Sequence, residues 1–124
     1  MYTCRAVRNS LFVILILLPI GAPQAGESMA SYTTCAVYHR MMVGAMRSSA
    51  NLQVLADKHM ELMNDYIALA KKASDDDYGE ELGEELFNDE WAAIQAEMTD
   101  RINRNYVNIS RLKYRYQERC KTPQ

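Results

Sequence analysis

From Thr34 to Ala73, apolar and small residues recur at steps of three and four without a slip, with Tyr38, Met41, Leu52, Leu55, Leu62, Tyr66 and Leu69 on the stripe. A period sustained over that length is helical, because a strand alternates in twos. A second series seven apart (Cys35, Met42, Ser49, Ala56, Met63, Ala70) widens the stripe to that of a core-facing helix. A second arm from about Glu80 to Arg119 repeats the pattern through Leu82, Leu86, Trp91, Ile94, Met98, Ile102, Ile109, Leu112 and Tyr116. With only 5 Gly and 3 Pro in 124 residues, the chain has few residues for the tight hairpins and phosphate-cradling loops of β and α/β folds. The expected fold is all-α.

The segment Asp75-Asp76-Asp77-Tyr78-Gly79 supplies the one clear turn between the arms. Lys71 and Lys72 suit a helix C-terminus before it. After it, Asp77 is expected to cap the next helix in a capping-box-like pair with Glu80. Asn103, Asn105 and Asn108 lower helix propensity in the second arm, where a further turn costs least.

The N-terminus reads as an export signal. Arg5 and Arg8 precede the apolar run Leu11 to Leu18, and Pro19, Gly21 and Pro23 close it ahead of small residues at Ala22, Ala25 and Gly26. The run falls well short of the ~20 apolar residues that span a bilayer. Cleavage is expected after Ala25, with a cut after Ala30 as the alternative. That divides the chain into a signal peptide at 1–25 and one helical domain at 26–124, periplasmic or secreted, with no stable membrane span. Without Arg5 and Arg8 the domain holds 12 basic and 16 acidic side chains, a net charge of −4. A nucleic-acid partner would call for a basic domain.

Cys4 departs with the signal, leaving Cys35 and Cys120. An even pair in an oxidising compartment reads as one disulfide. Its midpoint falls inside the turn, so two antiparallel arms of equal length bring the cysteines together. A long helical hairpin satisfies this. So does a small antiparallel up-down bundle of four helices, with both arms broken, near Ser48 to Asn51 and near Asn103 to Asn105. Breaking one arm alone does not, since 40 helical residues span about 60 Å. The bundle is favoured because a lone hairpin buries little surface and would call for a homodimer.

Chemistry-bearing patterns are sparse. His39, Met42 and Met46 share one helical face, and His59 and Met63 another, an imidazole and thioether set suited to copper(I). Methionine at helical spacing is also ordinary core filling. Asp75-x-Asp77-x-Gly79 looks like the start of a calcium loop, but the Gly stands at the fifth position and the twelfth is Leu86, so the motif fails. Residues 75–90 carry nine acids and no base, whereas Arg101 to Lys121 carries seven bases against Glu118 alone, interleaved with Tyr106, Tyr114 and Tyr116. The basic face is expected first to pair with the acidic half. The functional alternative is an anionic surface or acidic partner. Asn108-Ile109-Ser110 matches a glycosylation sequon. No nucleophile elbow, zinc-protease motif, Walker loop or dinucleotide fingerprint occurs. The sequence therefore reads as a non-catalytic, cofactor-free exported protein that binds an unknown protein partner or serves a structural role; a copper-binding protein using the His/Met face is the alternative.

Overall fold

The computed structural model describes residues 26–123. The proposed signal peptide lies outside them. Four helices follow in order: α1 at Glu27–Met46, α2 at Gln53–Tyr78, α3 at Glu80–Arg101 and α4 at Ser110–Tyr116. They run up, down, up and down. Arms broken at both expected places thus give the four-helix bundle rather than the hairpin, and the argument for a dimer based on an unsupported hairpin falls away. The fourth helix is only seven residues long and packs lightly on α1 and α3, whereas α1, α2 and α3 pack extensively on one another.

The apolar stripe does not behave as one continuous surface. Cys35 to His39 and Met41 to Val43 are consecutive and buried, so α1 is enclosed on nearly all sides by the other three helices. Its flanking series is as much core as its main stripe. On α2 only one side is buried, through Ala56, Tyr66 and Ala70. Phe87, not Leu82, carries the first half of α3 into the interior, followed by Ile94 and Met98.

The breaks have local causes. After α1, the Gln53 amide donates to the carbonyls of Arg47 (3.1 Å) and Ser49 (2.9 Å), tying the connection to the helix end, where the Arg47 carbonyl has no partner along the helix. After α3, the Asn103 N–H reaches the Asp100 carbonyl and the Arg104 N–H that of Thr99, both at 2.9 Å, a Schellman closure with Asn103 in the left-handed region at φ 53°. Asn105 accepts from the Val107 N–H, and Asn108 donates to the Ile102 carbonyl at 2.9 Å. Each of the three asparagines thus has a task in one corner, and the amide nitrogen a glycan would require is engaged in it. Gly44 lets that corner seat on α1, since a Cβ there would collide with the Tyr106 phenol.

The turn between α2 and α3 is tighter than expected. α2 continues through Asp75 to Tyr78, and Gly79 alone makes the reversal at φ 84°, ψ 160°, a conformation essentially reserved for glycine. Asp77 therefore does not cap α3; its carboxylate accepts the Gly26 N–H at 3.0 Å, at the start of α1. Lys72 does not sit in the last turn of α2 but pairs with Asp76 at 2.6 Å. Glu80 and Glu81 do occupy the first turn of α3, at the positive end of its dipole. Close packing follows at once: the Ser74 hydroxyl donates to the Gly83 carbonyl at 2.7 Å, and a Cβ on Gly83 would stand 2.9 Å from the Ser74 carbonyl.

Cys35 and Cys120 form the expected disulfide, with Cα atoms 5.2 Å apart across 85 residues. Among the described residues, no helix is long and apolar enough to cross a membrane.

Candidate functional site: a histidine pair and a basic helix face

Antiparallel packing of α1 on α2 sets His39 opposite His59, with their Nδ1 atoms 2.8 Å apart. His39 Nε2 lies 2.7 Å from the main-chain carbonyl oxygen of Cys120. A carbonyl only accepts, so His39 Nε2 carries the hydrogen and, in the neutral ring, Nδ1 is the acceptor. His59 Nδ1 is therefore the donor to it, and His59 Nε2 keeps a lone pair. The relay runs from α2 through α1 to the disulfide-bonded residue near the C-terminus.

Burial holds His39 neutral, lowering its pKa to about 4 against the opposing effect of the Cys120 carbonyl, with the His59 charge lowering it further. His59 is also lowered, first by burial and then by the positive charges of Lys58 and Lys113. Aromatic rings enclose the pair. Tyr66 stacks on His39 with centroids 5.6 Å apart and planes at 18°, and Tyr38 meets His59 edge-on at 6.3 Å.

Of the five candidate metal ligands, the fold brings together His39 and His59. Met42 and Met46 are buried in the core, Met63 is half-buried, and none of the three lines the cleft beside the imidazoles. Among the described residues, no three His, Cys, Asp or Glu side chains are grouped so as to hold a metal. Sequence reasoning missed Tyr38, Tyr66 and the Cys120 carbonyl. The first two carried a signal: Tyr38 is adjacent to His39, and Tyr66 stands seven residues after His59, on the same helical face.

The charged segments do not neutralise each other. Among the described residues, no salt bridge joins an acid of 75–90 to a base of 101–121. Arg101 and Arg104 pair with Glu97 and Asp100, four residues back along the chain on α3, and Lys121 with Glu118. Arg111 donates to the Arg101 carbonyl, Arg115 lies over the Tyr116 ring, and Arg119 reaches Ser31. The acids fall around the Gly79 reversal at one end of the bundle, while the bases begin at the opposite end and follow α4 back. On the same segment Tyr114 is 98% exposed and Val107 84% exposed.

No family model, no curated protein and no solved structure matches the chain.

Proposed function

We propose that the chain is a small exported protein with a non-catalytic role, which binds an acidic protein surface through the basic, tyrosine-bearing face of α4. The observation that carries this reading is the separation of charge: Arg111, Lys113 and Arg115 have no acid of the 75–90 segment to neutralise them, and Tyr114 stands beside them almost wholly in solvent. Exposed tyrosine and arginine together are the usual chemistry of an interface anchor. Binding of a fluorescent deca-glutamate peptide should weaken as salt is raised, and Arg111→Glu/Lys113→Glu/Arg115→Glu should reduce it by about tenfold or more at low salt. Unchanged affinity in that variant, with its helical circular dichroism intact, overturns the reading. Binding to vesicles of anionic phospholipid but not to the peptide makes the partner a membrane instead and overturns the choice of a protein.

Export is supported by the apolar N-terminal run and by the disulfide, which belongs to an oxidising compartment. Cleavage after Ala25 is supported over a cut after Ala30. The first releases the chain at the Gly26 nitrogen, 3.0 Å from the Asp77 carboxylate, which would then pair with a free ammonium group. The second would remove the first turn of α1, including buried Met29, whose carbonyl accepts from Thr33. The intact mass of the exported protein should correspond to a chain beginning at Gly26. A chain beginning at Ser31 overturns this assignment.

The alternative of a soft-metal protein draws support from the convergence of His39 and His59. Against it stand the absence of thioethers from their cleft and the lysines around them. It predicts stoichiometric copper retention that is lost in His59→Ala.

A further inference from the structure

The cleft that borders the histidine pair, between α1, α2 and the chain following α4, has a chemistry of its own. Lys58, Lys121, His59 and Gln117 supply its polar wall, Leu55 and Leu62 an apolar one, and among the described residues no Asp or Glu lines it. We propose that this cleft binds a small amphipathic monocarboxylate, its carboxylate held by Lys58 and Lys121 and its short hydrocarbon or aryl tail against Leu55 and Leu62. This site lies beyond the α4 docking face and takes a different ligand.

Three observations converge on that class. The first is charge. Among the described residues, the only salt bridge to either lysine is that of Lys121 with Glu118, an exposed pair at 3.1 Å, of the kind that contributes little and is readily exchanged for a ligand anion. Lys113 adds to this positive charge, since after burial it is the charges of Lys58 and Lys113 that lower the His59 pKa. A cation would meet the same repulsion with only two imidazoles to hold it. The second is the apolar wall. Leu55 is 44% exposed and Leu62 half-buried, so a tail placed against them buries surface the fold leaves in water. The third is size. The cavity is about 200 Å³, which at ~30 Å³ for each water's share of the liquid is a volume of about seven waters. It suits a ligand such as hexanoate or benzoate and is below the ~300 Å³ at which sites for drug-sized molecules begin.

The test is an NMR titration of the exported, disulfide-bonded protein with sodium hexanoate and sodium benzoate at constant ionic strength, following backbone amides. The expected result is a saturable shift confined to residues around Lys58 to Leu62 and Gln117 to Lys121. Hexanamide should lack the charge contribution and acetate the tail, so each should bind about tenfold more weakly or worse. Lys58→Met/Lys121→Met should weaken hexanoate similarly, while Lys72→Met, on an exposed stretch of α2, leaves it unchanged. Shifts that never saturate, equal shifts with hexanamide, or full affinity in the double variant each overturn the proposal. So does stoichiometric uptake of copper or zinc that His59→Ala abolishes, which would return the site to metal.

Discussion

Replacing both cysteines of the bridge, Cys35→Ala/Cys120→Ala, should lower the free energy of unfolding by about 4 to 5 kcal/mol, the largest effect expected of any change in this protein. Its main source is the unfolded state. The bridge closes a loop across 85 residues, nearly the whole described chain, and so removes much of the freedom of the denatured ensemble. The folded state adds to the loss. α4 has only seven residues, too few to persist as an isolated helix, and it rests lightly on α1 and α3. Cys120 just beyond it is fully buried, and its carbonyl receives the His39 hydrogen bond. Against a typical net stability of ~5 to 15 kcal/mol, this bridge decides whether the bundle stays folded. Urea titrations of the two proteins should differ in midpoint by about 1.5 M or more, given slopes of ~1 to 3 kcal/mol/M. A difference below about 1 kcal/mol would mean that the chain ends are held by packing alone.

Stability should also fall steeply in mild acid because of His39. The unfolded ring has the ordinary value of 6.5 and the folded ring about 4, so between these limits the unfolded chain binds a proton that the folded chain refuses. More protons on the unfolded side make stability rise with pH. The contribution is therefore present above about pH 6.5 and is lost as pH falls through the window to 4, to the extent of about 3 kcal/mol. With His39 only 2% exposed, the ring has almost no water with which to share the charge. His59 is lowered as well and acts in the same direction. His39→Gln, which keeps a donor for the Cys120 carbonyl but does not titrate, should lose about 3 kcal/mol less between pH 7 and pH 4 than the parent protein. Should that variant fail to fold, the ring resonances of His39 in the parent protein give the same answer. A midpoint near 4 supports the account, whereas one near 6.5 or identical acid sensitivity in the two proteins removes it.

The helical class, both breaks and the disulfide were legible because each rests on local chemistry or chain arithmetic. A three-four period selects a helix within any short window. The asparagines at 103, 105 and 108 mark a corner through conformational and hydrogen-bonding preferences that need no distant partner. Two cysteines placed symmetrically about the turn limit how the arms can fold back. Asp77 marks where this legibility ended. Its proximity to Glu80 in sequence indicated a cap for α3, yet across the bundle it found the start of α1, 51 residues away.

The candidate sites lay almost wholly beyond local reasoning. His39 and His59 each occupied a recognisable helical position, but pairing the two rings depended on the register of α1 against α2, which periodicity leaves open. The third partner is a main-chain carbonyl of Cys120, and no side-chain pattern advertises a carbonyl. The thioethers at 42, 46 and 63 share helical faces with the histidines by spacing. Enclosure of α1 on nearly all sides instead gave Met42 and Met46 to the core. The opposite charges of 75–90 and 101–121 were equally ambiguous until α3 carried the chain from the Gly79 reversal to the opposite end of the bundle, ahead of α4. By itself, then, the sequence determined that this chain is helical, where it bends and which cysteines close it, because those outcomes are governed by backbone preference and chain connectivity. Tertiary structure decided which imidazoles meet, which methionines are consumed as core and which charges remain unneutralised, because these depend on helix register and enclosure, set only when all four helices pack at once.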